Sequence, residues 1–562
     1  MSDDADLLIV NGRVFQAFGP RDLVPYGSDI GPRPVAGANA LAVKDGRIAW
    51  VGRQDEGRRE WQGSRTQVVD AAGGLITAGF DDAHIHVVGG ALELKDADLF
   101  QLDSVEAIQA AIAAHAVANP TDAWVKGFGW MYVPFPGGLP TRQQLDAVVP
   151  DRPAFMRCYD GHTAWVNTAA LRIAGIDRDT PDPRDGIIVR DPVTGEATGA
   201  LKEGAQELVM PHIPVPSADE TLAAMRIAIG RMHAAGITAI QDAMTELAEL
   251  PLWRTLRDEG SLTLRTRLAL MMRADQTFEA WSQRLDEYGA EIADLHGGEW
   301  LDAGILKAFA DGVIEARTAH MLTPYENDTS TGLPEWESAQ LDAFVAEADR
   351  RGWQLEIHAI GDGAIRTVLD AYERTAAANP PRDRRHRVEH IETVTREDIP
   401  RFGQLGVVAS MQPYHADPSP NQIDVWAGNI GRERAGQAWS WSSIRRAGGI
   451  VALGSDWPVV PFDPMIALNS AVNRQTVGGF PPGGWLPSEK LSLPEALAAY
   501  GQGSAYAAFA DDRRGTLRAG AQADLIVLDR DILDQGPSAI IGTKVALTVV
   551  GGHVVHRSKE LS

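Results

Sequence analysis

Cysteine is nearly absent from this chain. One thiol, Cys158, stands among 562 residues, so no intramolecular disulfide can form and a secreted scaffold stapled by cystines is excluded. Cys158 lies just after the apolar run Pro153-Ala154-Phe155-Met156, the setting of a buried structural thiol rather than a nucleophile. Basic residues are in deficit: 52 Lys and Arg against 76 Asp and Glu give a formal charge of −24. Nucleic acid and anionic membrane both require clustered Lys and Arg, so neither is an expected partner. No apolar run reaches the ~18 residues that a membrane span needs. The acidic start Met1-Ser2-Asp3-Asp4-Ala5-Asp6 lacks the basic and apolar regions of a signal peptide, and the expected location is cytoplasmic. Internal repeats and low-complexity tracts are also missing. What is present, 44% hydrophobic residues, is ample for one large core and a smaller one.

Two kinds of region alternate. Near the start, Leu7-Leu8-Ile9-Val10 and Arg13-Val14-Phe15 flank Asn11-Gly12, and Ala40-Leu41-Ala42-Val43 and Arg47-Ile48-Ala49-Trp50-Val51 flank Asp45-Gly46. Such dipeptides between apolar alternations predict hairpins. The far end has the same pattern, with Asp524-Leu525-Ile526-Val527-Leu528 and then Val545-Ala546-Leu547-Thr548-Val549-Val550 turning at Gly551-Gly552 into His553-Val554-Val555. The two ends are expected to form one small β-sandwich domain, from residues 1–74 and 511–562.

The middle, 75–510, alternates short apolar strands with helical stretches. The first strand is expected in Gly74-Leu75-Ile76-Thr77-Ala78-Gly79-Phe80, closing at Asp81-Asp82 and leading to His84-Ile85-His86. Seven more follow, at 238–241, 267–270, 305–309, 354–358, 387–390, 407–410 and 450–454. Helices lie between, such as 218–235 and 338–351, with Ser217 and Ser338 as expected N-caps. Eight such units predict an α/β fold of (β/α)8 TIM type, whose ligands gather at the C-terminal strand ends. Residues 89–217 exceed an ordinary βα connection and read as a folded insertion over the mouth, with a helix over 105–118 and the aromatic stretch Gly127-Phe128-Gly129-Trp130-Met131-Tyr132-Val133-Pro134-Phe135.

Residues two apart on a strand point the same way, so His84 and His86 can aim at one spot, as the first two ligands of a divalent metal do. Other polar residues fall at matching strand ends: Lys307 on strand four, His358 at the end of five, His390 at the end of six, Asp456 after eight. Each has a plainer reading. His358 and His390 are alternatively satisfied core histidines, Lys307 a partner of Asp311, and Asp456 a cap of the following turn. Trp130, Tyr132, Trp165 and Trp457 suggest either an aromatic-lined pocket or ordinary core packing.

The joint pattern resembles the amidohydrolase superfamily, and within it amidohydrolase family 3, the group of the N-substituted formamide deformylases. The closer likeness rests on Asp160-Gly161-His162 with Trp165-Val166-Asn167, and on Lys307-Ala308-Phe309-Ala310-Asp311-Gly312 with Arg317-Thr318-Ala319. It continues in His358-Ala359-Ile360-Gly361-Asp362, Arg387-Val388-Glu389-His390, Gln412-Pro413, Gly454-Ser455-Asp456-Trp457-Pro458 and the returning Gly515-Thr516-Leu517. The resemblance implies a metal-dependent hydrolase barrel acting on a non-peptide C–N bond, of the amide or formamide type. Zinc suits imidazole and carboxylate ligands, as one ion or two. His84, His86 and Asp456 would bind one, His358 and His390 the other, with Lys307 carboxylated as a bridge; with one metal, Lys307 is an ordinary lysine. Asp456 would serve as general base. His162, Trp165, Glu203, Arg317, Gln412 and Trp457 are the candidate substrate contacts, Glu203 also being a rival carboxylate ligand. A small apolar or aromatic amide and a homodimer are the implied partners. The same residues also suit an ester, lactone or cyclic-imide hydrolase, a decarboxylase, or a catalytically silent binding or regulatory protein. Two positions depart from the family pattern: Glu315 stands where relatives have a small residue, and Met131 where they place Asp.

Overall fold

A computed structural model describes residues 4–16, 35–559 and 561. Met1 to Asp3 of the acidic start and residues 17–34 within the first β region lie outside them. The centre is an eight-stranded sheet made of Phe80–Ile85, Ile237–Thr245, Arg265–Met271, Leu301–Phe309, Gln354–Ala359, Arg387–His390, Val408–Met411 and Ile450–Leu453. All neighbouring strands run parallel. Helices cover its outside, and a single core joins the two layers through residues such as Met225, Trp253, Trp281, Leu341, Ile365 and Phe402. This is the (β/α)8 architecture that the alternation implied. Among the described residues no helix is long and apolar enough to cross a membrane.

Three local expectations need correction. The run through 74–80 is not one strand. Leu75–Ala78 pairs with Arg13–Val14 and Leu525–Leu528 in a terminal sheet, and the barrel strand starts afresh at Phe80. Both pieces are buried, so no alternation marks the break. The chain turns at Gly79, where an added Cβ would lie 2.2 Å from the Thr238 side chain. Asn11-Gly12 is likewise not a hairpin. Leu7–Val10 pairs with Ala40–Lys44 and Gln67–Asp70, whereas Arg13–Val14 belongs to the other sheet, so Asn11 (φ 57°) starts a crossing between sheets. Asp45-Gly46 and Gly551-Gly552 do turn antiparallel hairpins. Ser217 caps helix Ala218–Ala234 in a reciprocal box with Glu220, but the cap of helix Ser338–Arg350 is Glu337. A cap must keep non-helical backbone angles, and Ser338 is already inside the helix.

The four-stranded and five-stranded terminal sheets share one core, in which Ile9, Val43 and Val69 meet Ile76, Val527 and Leu547. Between barrel strands one and two, a six-stranded sheet spans Ala97–Asp98 to Ala197–Glu203, flanked by helix Val105–Ala118, whose first turn is capped by Ser104. Trp130, Tyr132, Phe135 and Cys158 fill this insertion's own core. The Cys158 thiol is buried, pushed up by that burial, and donates to the Trp130 carbonyl at 3.2 Å.

Candidate active site

The site grows out of the barrel's seam. Strand eight and strand one do not form a regular ladder. Three other bonds tie them: the Asp456 N–H donates to the His84 carbonyl (2.7 Å), the His86 N–H to the Trp457 carbonyl (2.8 Å), and the Ser455 N–H to the buried Asp82 carboxylate (2.8 Å). Gly454 makes the approach possible, because a Cβ there would stand 2.5 Å from the His84 nitrogen. The seam thereby sets Asp456 against both histidines of strand one.

The Asp456 carboxylate is the hub. Its Oδ1 lies 3.0 Å from His86 Nε2 and 3.4 Å from His84 Nε2; its Oδ2 lies 3.5 Å from His415 Nε2 and 3.8 Å from His390 Nδ1. Two triads therefore share it, His84–His86–Asp456 and His390–His415–Asp456, each with donor atoms within 4.8 Å of one another. Lys307 Nζ reaches to 3.4 Å from His84 Nε2. His358 stands at the edge: its ring centroid is 4.5 Å from that of His390, but its Nε2 bonds the Gly312 carbonyl at 3.2 Å. His390 (φ 72°) and Asp456 (φ 62°) hold left-handed backbone, a conformation that costs non-glycine residues energy and clusters at functional sites.

Burial pulls His84, His358 and His390 well below the ordinary imidazole range, so their rings are neutral with free lone pairs. Burial lowers Lys307 in the same way. At Asp456 burial acts against ionisation, but His84, His86 and His415 outweigh it and hold the carboxyl well below its usual range. Beneath the hub, His84 Nδ1 is 2.6 Å from Glu389 Oε2, and Arg387 Nε donates to Glu389 Oε1 at 2.8 Å. That relay fixes which ring nitrogen of His84 turns to the mouth. His390 Nδ1 and His415 Nε2 are buried and have no hydrogen-bond partner among the described residues. Four imidazoles, with unpartnered ring nitrogens among them, and a depressed carboxylate converging on one spot fit a borderline divalent ion. We expect Glu389→Gln to weaken metal binding by about 10–100-fold, read by competition against a chromophoric chelator; unchanged affinity would deny Glu389 this orienting role.

Lys307 does not pair with Asp311. The Asp311 carboxyl instead accepts backbone N–H groups of Ile360, Gly361 and His320, while burial lifts it to about 8. The candidate substrate residues fare unevenly. His162 Nδ1 lies 2.7 Å from Glu203, and its ring is 5.7 Å from that of His358. Burial opposes its charge, but the Glu203 carboxylate raises His162 to about 9. Gln412, next after strand seven, is buried with both amide atoms unpartnered among the described residues. Trp165 is fully buried in the insertion and donates to the Thr141 carbonyl, Trp457 packs on Phe462, and Arg317 braces Asn429 and Asp328. Trp130, Tyr132 and Trp165 thus pack the insertion's core; large apolar rings gain most from full burial.

The cavity that does open beside His415 measures about 340 Å³ and takes in Phe100, Met131, Tyr159, Tyr414 and Val460. Met131 lines it directly. Glu315 acts at one remove: it accepts from the Tyr159 hydroxyl, which in turn accepts from Asn421 Nδ2 at 3.0 Å. Burial, with Glu392 and Asp160 nearby, lifts Glu315 to about 8.

A parallel barrel that gathers histidines around one aspartate at its strand ends defines the class of metal-dependent barrel hydrolases. A model of the amidohydrolase family, family 3, matches residues 67–556, and the chain belongs to that family. Protein LONG AFTER FAR-RED 3 of Arabidopsis thaliana is 33% identical over 98% of this chain and 91% of its own length. The N-substituted formamide deformylase of Arthrobacter pascens is 28% identical over 92% of this chain and 94% of its own. An uncharacterized metal-dependent hydrolase of Pyrococcus horikoshii shares the fold, with a TM-score of 0.70, 24% identity and coverage of 98% of this chain and all of that one.

Proposed function

We propose that the enzyme hydrolyses a non-peptide C–N bond, in an amide or formamide, with Asp456 as general base. The observation that carries this is the single carboxylate set 3.0 to 3.8 Å from four imidazoles. His84, His86 and Asp456 would hold zinc; His390 and His415, on the other carboxylate oxygen, would hold a second ion. A zinc ion held there would supply a water whose pKa is lowered to about 7 and would polarise a carbonyl. Asp456 takes the proton from the attacking water and returns it to the departing amine. Lys307 Nζ, close to His84, is where a carbamate would reach the same centre. His162, charged beside Glu203, is a donor for the developing oxyanion. The likeness to the formamide deformylase favours C–N over C–O cleavage.

The test is a turnover screen of N-substituted formamides, N-acyl amines and cyclic amides, run beside esters and lactones. Protein is stripped with chelator and then reloaded with zinc. Amide turnover that disappears on stripping and returns on reloading is expected. Turnover of esters or lactones alone, or of nothing, would overturn the C–N reading.

A further inference from the structure

The cavity beside His415 has a composition that selects by charge. Most of its wall surface is apolar, with Leu102, Met131, Val133, Pro134, Val460 and Val477 contributing, alongside polar Gln101, Ser419, Asn421, Gln422 and Thr476; no Lys or Arg among the described residues lines it. Besides the phenols of Tyr159 and Tyr414, its ionisable members are His415, at the reacting end, and two acids, Asp103 and Asp417. Asp103 is exposed at the mouth, whereas Asp417 is largely covered. Asp417 is fixed by its backbone: its N–H donates to the Tyr414 carbonyl (3.0 Å), and its carbonyl accepts from the Ser419 N–H (2.7 Å). Its carboxyl group has no hydrogen bond or ion pair among the described residues. A carboxylate facing an apolar cavity without a partner is costly, and a ligand that brings a donor removes the cost.

Distance sets the ligand's length. Asp417 follows His415 by two residues, so their Cα atoms are at most about 7 Å apart. A group reacting at the Asp456–His415 end and a donor paired with Asp417 are therefore separated by a short chain. Resting on the reading of the Asp456 cluster as the reacting centre, we infer that Asp417 is the specificity residue of this cavity, and that the preferred substrate carries a primary ammonium at the end of a short apolar arm. A carboxylate at that end of the arm would instead face Asp417, a like charge, with no Lys or Arg among the described lining residues.

The test uses hydroxamates, which anchor on a bound metal whatever bond the enzyme cuts. Three probes share a six-carbon arm ending in an ammonium, a hydroxyl or a carboxylate. Their dissociation constants are measured by calorimetry on the zinc-loaded full chain and on its Asp417→Asn variant. The ammonium probe is expected to bind about tenfold or more tightly than the hydroxyl probe, as hydrogen bonds between charged groups are the stronger ones. The carboxylate probe should be weakest, and Asp417→Asn should erase the ammonium advantage while leaving the hydroxyl probe unchanged. Equal binding of the three, failure of all three to bind, or an advantage that survives Asp417→Asn would overturn the inference. If the variant does not fold, the charge series on the unsubstituted chain decides alone. An ammonium preference without turnover of any amide would sink the hydrolase reading and leave this one standing. Amide turnover with no charge preference would do the reverse.

Discussion

Asp456→Asn is expected to lower turnover by about 10²–10⁴-fold, the range that a positioned acid–base group contributes, while zinc still binds at saturating concentration. Asparagine keeps the size and one acceptor oxygen, so His84 and His86 retain a neighbour at the same place. What it loses is the negative charge and the ability to take a proton. The backbone around the position should survive, because the seam bonds run through the Asp456 N–H and the His84 carbonyl rather than through the carboxylate. Metal content and turnover must be measured separately, the first by elemental analysis of dialysed protein and the second on the best amide found. Full activity with metal retained would remove Asp456 from the role of base. Loss of metal together with activity would make it a ligand first, and a rate measurement at rising zinc would then separate the two roles.

The barrel was legible in the sequence because most of its strands are short runs set apart by helix-length stretches, even where, as in Arg387–His390, the strand itself is largely polar. The splitting of 74–80 was not, since two buried strands in different sheets read as one when both are apolar throughout. The candidate site was legible only where its residues sit on strand ends. His415 does not: it lies on the short 3-10 turn Pro413–Ala416 beyond strand seven, where no spacing rule points, although the motif Gln412-Pro413 stops two residues short of it. Glu389 was missed for a different reason. Neighbours on a strand face opposite sides, so assigning His390 to the mouth argues against Glu389. Yet both touch His84, one by a 2.6 Å bond and the other by ring contact at 5.0 Å, because His390 leaves the strand with a positive φ. The aromatic stretch serves both of the readings left open for it: Trp130, Tyr132 and Phe135 pack the insertion's core, while Met131, Val133 and Pro134 between them line the cavity.

Arg387→Met is expected to destabilise the protein by about 3–5 kcal/mol, the cost of breaking a buried ion pair from one side. Arg387 is fully buried inside the barrel and ties five strands together. Its Nε donates to Glu389 (2.8 Å); its Nη1 donates to Gln241 (2.6 Å) and lies 3.1 Å from Glu356; its Nη2 donates to the Ala83 carbonyl (2.5 Å) and Ser410 (3.0 Å). Methionine fills much of the space but leaves Glu356 and Glu389 without their cation and three further acceptors without a donor. The effect should be read on metal-free protein by urea unfolding, so that lost metal binding does not add to it. Replacing the pair rather than one partner separates charge from volume: Arg387→Met with Glu356→Gln is expected to recover part of the loss, since a buried carboxylate then disappears with the guanidinium. The variant should also bind zinc about 10–100-fold more weakly, because Glu389, released from Arg387, no longer holds His84 Nδ1 in place. A destabilisation under about 1 kcal/mol would match a solvent-exposed pair instead and would contradict the buried network. Normal metal affinity in a destabilised variant would confine Arg387 to the barrel core and detach it from the site.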